Sequence, residues 1–348
     1  MLPTKTSIYN ISNVKKNSKQ LSDKLAQIMY YFFSLVIFGI IVLLISNPTK
    51  YMSSVNKGIS IFFCSVLPSL LPFVFLSKLL TDLGFVSKLS KIFEKPIKKL
   101  FGLPPISAYV FLMSILCGYP MGAKIVGDLH EKGAITSDDA KHIVALCSTS
   151  GPIFVIGVVG CSMLKSYKLG ALIFAAHILS AIFCGLVFRN YKYKQTQKVQ
   201  TPSTSAENLL AGATTSTIFS VLTVAIYVSI FYMVIDMAYD IKILAFGAKA
   251  FEKVLALFGV PSVFSSAMAS GTIEMTRGLY ELSLVSGLDT YKLALASGVI
   301  SFGGLSVILQ SITFLSKTKT NALYLVLVKS VHMVLSILLA VILAWIFY

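Results

Sequence analysis

The chain of 348 residues is 56% hydrophobic and only 13% charged, with a mean hydropathy of +0.81. Soluble domains carry about 25% charged residues, so a water-soluble globule is excluded and a polytopic helical membrane protein is implied. The formal net charge of +16 does not point to nucleic acid, because the basic residues gather at 5–24, 88–99 and 189–198, beside apolar runs; positive charge there sets orientation and meets anionic lipid.

In chain order, residues 1–24 form a polar, basic extension without a signal-peptide cleavage pattern. Residues 25–54 hold a first membrane anchor over 28–46, read as a retained start-transfer segment, and its loop. A second apolar run covers 59–80, followed by an amphipathic basic stretch over 85–100. The apolar stretch 105–127 is interrupted at "CGYPMG" (117–122), a polar turn spans 128–140, and the run 141–164 is interrupted again at "STSGP" (148–152). A further run at 168–188 leads into the polar segment 189–207, read as a cytoplasmic linker.

The same order of features then returns. A span over 209–238 is followed by an amphipathic stretch at 241–259 and an apolar stretch at 260–278 containing "SGTIEMTRG" (270–278). A turn lies near 282–290, the run 291–316 is interrupted at "SFGG" (301–304), and a last span covers 321–347. "FEKPIKKLFGLP" (93–104) and "FEKVLALFGVP" (251–261) mark equivalent points of an internal duplication, with repeats over 55–188 and 208–348. With the basic segments kept cytoplasmic, 105–127 dips in from the cytoplasm and turns at Gly118, whereas 260–278 dips in from the opposite face and turns at Gly271. The expected fold is therefore all-α and polytopic: two inverted-topology repeats with re-entrant hairpins and broken transmembrane helices, the design of secondary transporters.

Irregular backbone survives at membrane depth only where it lines a cavity or is buried in protein, and a helix N-terminus offers free N–H groups and partial positive charge to an anion. The candidate substrate-binding residues are accordingly Gly118, Tyr119, Pro120 and Lys124; Ser148, Thr149, Ser150 and Gly151; Gly271, Thr272, Glu274 and Arg277; and Ser301, Gly303 and Gly304. Glu274 and Arg277, three residues apart, are expected on one helical face. Arg277 is expected to face the site, with Glu274 holding it or binding a coupling cation; the alternative is a mutually neutralising pair that staples the hairpin. Lys124 and Asp128, at helical spacing, can equally lie at the membrane surface. Gln310 and His177 are read as packing residues. Cys64, Cys117, Cys147, Cys161 and Cys184 lack CxxC spacing, the histidines lack metal-ligand spacing, and neither a nucleophile–base set nor a Walker motif is present. No metal, no cofactor and no enzymatic activity are expected.

"SILCGYPMGAKIVGDLHEKGAITSDDAKHIVALCSTSGPIFVIGVVG" (114–160), together with "GTIEMTRGL" (271–279) and "SFGGLSV" (301–307), resembles the YlbJ family of sporulation integral membrane proteins, part of the Gate, or nucleoside-recognition, group. The resemblance runs from about residue 55 onward and leaves out the extension 1–24. It implies a design similar to concentrative nucleoside transporters and a role in moving dipicolinic acid from the mother cell into the developing spore. A small dianion would use the N–H groups at the breaks, Lys124 and Arg277; a neutral nucleoside would use them less. The expected partners are a small anionic substrate, the lipid bilayer and a coupling cation, and the expected location is the cell or forespore membrane of a spore-former. A transporter of nucleosides or another small solute, or a non-transporting sporulation receptor or assembly factor, are the alternatives.

Overall fold

A computed structural model describes residues 5–189 and 206–347. The linker read over 189–207 lies outside the described residues except at its ends, and so does Tyr348. Among the described residues every regular element is helical. Six helical stretches are long and apolar enough to cross a membrane: Gln27–Ser46, Pro48–Asp82, Tyr167–Val187, Glu207–Asp240, Asp289–Thr318 and Ala322–Phe347. They contain the runs read at 28–46, 59–80, 168–188, 209–238, 291–316 and 321–347 to within a residue or two, but the loop expected after the first anchor is helical from Pro48 onward.

The chain divides at Ser53 into two units. In the first, helix α1 (Lys5–Ser46) exposes large apolar side chains such as Tyr30, Phe33, Leu35 and Phe38. A helix satisfies all its backbone groups internally, so such a surface suits hydrocarbon. Helix α2 (Pro48–Ile61) opens on a proline, which the first turn of a helix tolerates.

In the second unit, a wide π-type turn (Phe62–Val66) leads into α3 (Leu67–Asp82). Two short helices follow, α4 (Phe85–Ile92) and α5 (Glu94–Phe101); α5 buries Ile97 and Phe101 and exposes Lys95, Lys98 and Lys99. Helices α6 (Ser107–Cys117), α7 (Met121–Glu131) and α8 (Ser137–Leu146) precede a π-helical segment, Ile153–Met163, and α9 (Tyr167–Val187). The turn before α8 is closed by a capping box: the Thr136 side chain accepts from the Asp139 N–H at 3.1 Å, and the Asp139 carboxylate accepts from the Thr136 N–H at 2.8 Å. After the undescribed stretch come α10 (Ala206–Asp240), α11 (Ile243–Ala256), α12 (Ser265–Ile273), α13 (Met275–Leu284), α14 (Asp289–Phe302), α15 (Gly304–Leu315) and α16 (Ala322–Phe347).

Helices α9, α14 and α16 pack against one another, while α3 meets α10 and α7 meets α15. Of the six long stretches, Asp289–Thr318 is the most enclosed, with 83% of its apolar window buried. Its interruption at Gly303 is therefore surrounded by protein rather than lipid, which is where an interrupted helix can persist.

The other short helices pack in consecutive pairs, α6 with α7 and α12 with α13. In the second pair a Cβ placed on Gly278 would lie 2.3 Å from the Cα of Gly271, so the two backbones touch where both residues lack side chains. This corrects the expectation that the chain turns at Gly271. It stays helical through Ile273 and turns at Glu274, whose backbone is extended (φ −138, ψ 119). The Glu274 carboxylate caps α13, accepting from the Arg277 N–H at 2.8 Å and the Thr276 hydroxyl at 2.5 Å, while Gly271 supplies the space α13 needs to lie against α12.

Candidate functional site

Each of the interruptions has a local cause. Helix α6 ends at Gly118, whose φ of +78 with ψ −167 suits only glycine, and Pro120 then precedes α7. Helix α8 ends at Leu146, and helical structure resumes only after Pro152. The third interruption is Glu274. At the fourth, Gly303 and Gly304 adopt φ of +79 and +75 between α14 and α15.

The interruptions lie on one another in pairs. A Cβ on Gly118 would be 2.6 Å from the backbone nitrogen of Gly151, and one on Gly304 would be 3.0 Å from the carbonyl oxygens of Gly271 and Ile273. Tyr119 joins the two pairs, since its hydroxyl donates to the Ile300 carbonyl at 3.2 Å. Between them is a cavity of about 50 Å³, bordered by Gly118, Tyr119, Ser150 and Gly151 from one half and by Glu274, Thr276 and Gln310 from the other. The first turns of α13 and of Ile153–Met163 adjoin it, and so does Cys117 at the end of α6. The cavity thus meets backbone donors, backbone acceptors and one carboxylate, with apolar walls from Val224, Val228 and Phe154. Its volume holds a few water molecules.

The expected cations are not among the residues bordering the cavity. Lys124 is buried on α7, 3.3 Å from Asp128 and 5.9 Å from the centre of the Phe314 ring on α15. The Arg277 guanidinium donates to Glu281 at 2.7 Å and to Asp236 on α10 at 3.3 Å, and it lies over the Tyr232 ring. Asp236 is held in turn by the Ser54 hydroxyl at 2.5 Å. The expected pairing of the Glu274 and Arg277 side chains is therefore corrected: Glu274 is a helix cap turned to the cavity, and Arg277 pairs with two other acids. Thr272 donates within its own helix to Ala269, and Thr149 donates to Ser114.

Beside the cavity is a polar cluster that the sequence reading passed over. Lys329, in the first third of α16, is 2% exposed. Its ammonium donates to the Tyr119 hydroxyl at 2.5 Å, to Ser148 Oγ at 3.3 Å and to the Ser148 carbonyl at 3.4 Å, and it lies 4.0 Å from the Tyr119 ring centre. One turn along, His332 Nε2 donates to the His177 carbonyl at 3.1 Å, and the two imidazoles stack at 4.8 Å. His177 Nε2 accepts from the Ser150 N–H at 2.8 Å, so Nδ1 carries the proton and donates to Ser301 Oγ at 2.8 Å. His177, read as packing, thereby ties the second interruption to the fourth. The available signal was a lysine and a histidine inside an apolar span, which is costly without a purpose.

These features define a multi-pass integral membrane protein in which three of the four helix interruptions border one partly polar cavity. Residues 63–150 match the Gate family, described as nucleoside recognition; the match takes in the interruption at Gly118 and ends at Ser150, inside the second one. The chain is 28% identical over 300 residues, covering 79% of its length and 72% of the relative's, to the sporulation integral membrane protein YlbJ of Bacillus subtilis (strain 168). No solved structure matches the chain.

Proposed function

We propose that the chain is a secondary transporter of a small anionic metabolite, dipicolinic acid, which it moves into the forespore during sporulation. In this reading α6–α7 and α12–α13 are re-entrant hairpins of two inverted repeats, entering from opposite faces. The observation that carries it is the meeting of three of the four helix interruptions, at Gly118, Ser150–Gly151 and Glu274, at one cavity, where freed backbone groups face a gap instead of lipid, with the fourth packed against the α12 backbone behind Glu274. The similarity to a sporulation membrane protein supports the cellular setting. Anion recognition falls to the N–H groups at the interruptions rather than to Lys124 or Arg277, whose charges are matched by Asp128, Asp236 and Glu281. Admission of the substrate from either side requires the interruptions to part in turn, as alternating access demands.

A nucleoside is the second reading, favoured by the description of the matched family. Calorimetric titration of the purified protein separates the two. Dipicolinate is expected to bind with at least about tenfold higher affinity than picolinate, since one charge-assisted hydrogen bond contributes about 1.5–3 kcal/mol. Binding of uridine with no heat from dipicolinate would reverse the order.

A further inference from the structure

We infer that Glu274 is the proton site of the cavity: its Oε1 takes up a proton when an anion binds and releases it when the anion leaves. This deepens the anion-transport reading and rests on it. Glu274 is 1% exposed and borders the cavity, as no other carboxylate does. Among the described residues no lysine, arginine or histidine forms an ion pair with it, and the Arg277 guanidinium is taken up by Asp236 and Glu281. Both hydrogen bonds to the side chain, from the Arg277 N–H at 2.8 Å and the Thr276 hydroxyl at 2.5 Å, end on Oε2. Oε2 therefore holds the cap of α13 whether or not Oε1 carries a proton.

The residues bordering the cavity include no cation, so a dianion beside an ionised Glu274 would put three negative charges into one gap of low dielectric. Two carboxyl groups that share a site keep one proton between them. On Oε1 that proton turns the repulsion into an O–H···O⁻ hydrogen bond to the substrate. Without the anion, burial favours the acid, whereas the donors on Oε2 and the first turn of α13 favour the carboxylate; this balance leaves the proton exchangeable. The other titratable groups nearby have partners of their own. Tyr232, on α10, lies 3.4 Å from Thr276 Oγ1, and Arg277, Asp236 and Glu281 are paired with one another. Cys117 donates to the Phe73 carbonyl, while Lys329 and His177, bonded to Tyr119 and Ser150, do not border the cavity. Of the elements packed on α13, α12, α15 and Ile153–Met163 hold no charged residue, and α14 holds only Asp289 and Lys292, near its start and far from its interruption at Gly303.

The experiment is calorimetric titration of the purified protein with dipicolinate between about pH 6 and 9, where both ligand carboxylates stay ionised, in phosphate and in Tris. The two buffers differ in heat of ionisation, so the difference between them counts the protons taken up. The unaltered protein is expected to bind more weakly as pH rises, approaching about tenfold per pH unit, with uptake of up to about one proton per ligand. Glu274→Gln cannot ionise and is expected to lose both the pH dependence and the proton uptake; Glu274→Ala, which also lacks the cap, is expected to lose them too. A pH-independent affinity of the unaltered protein would overturn the inference, as would a pH dependence that either variant keeps. If neither variant can be recovered, the proton count of the unaltered protein decides: uptake supports the inference and its absence overturns it. Binding of dipicolinate without proton uptake would strike this inference alone and leave the anion reading standing, whereas no binding at any pH would remove both.

Discussion

At Arg277 one guanidinium meets two carboxylates from different helices, so its removal leaves Asp236 and Glu281 facing each other without a counter-charge. Arg277→Gln is expected to cost about 2 kcal/mol, below the range for a fully buried pair because the groups are partly exposed. Adding Asp236→Asn and Glu281→Gln is expected to restore most of the melting temperature, since the residues act as a unit. Wild-type melting of Arg277→Gln alone would show that the triad holds nothing together. Glu274 gives a second test at this scale. Glu274→Ala deletes the cap of α13, at about 1 kcal/mol, whereas Glu274→Gln keeps an accepting oxygen, so in a melting comparison the alanine variant should unfold first. The sequence made Glu274 and Arg277 conspicuous but not their relation. Spacing of three residues pairs side chains only inside a helix, and Glu274 is extended, one residue before α13 begins. Lys329 was hidden for another reason: a run that is apolar over 321–347 averages away a single charge.

The helix interruptions were legible wherever the chain needs glycine or proline to make them. Gly118 with Pro120, Gly151 with Pro152, and the Gly303–Gly304 pair are all visible as punctuation; the helices stop at the first and the last, while α8 already ends at Leu146, ahead of Gly151. The third interruption uses neither residue type. Glutamate is not a favoured cap, so the eye goes to Gly271, whose part is to let α13 approach. Gly278→Ala tests that division of roles. Its Cβ would lie 2.3 Å from the Gly271 Cα, and helix interiors cannot absorb such an overlap without shifting apart. A loss of roughly 1–3 kcal/mol is expected by thermal melting; a melting temperature equal to that of the unaltered protein would mean that α12 and α13 are not packed in this way. Gly133, exposed and with open space around it, is the control, although its φ of +66 still penalises alanine. Gly278→Ala should cost more than Gly133→Ala.

For the whole molecule, the six long apolar stretches followed from hydropathy because bilayer thickness dictates their length. What hydropathy cannot carry is the pairing of the halves through Tyr119, His177 and Lys329, which depends on contacts between residues more than 100 positions apart. Orientation rests on the lysines. With the native cysteines replaced, Gln195→Cys in the linker is expected to react with an impermeant maleimide from the cytoplasmic side, and Tyr348→Cys from the other. Equal labelling of both from one side would contradict the topology proposed for the chain. The central claim is tested most directly by uptake of radiolabelled dipicolinate, against uridine, into proteoliposomes containing the purified protein. The account predicts saturable dipicolinate uptake, competed by unlabelled dipicolinate and not by uridine. Uptake of dipicolinate no faster than into protein-free liposomes, with or without an imposed ion gradient, would contradict it.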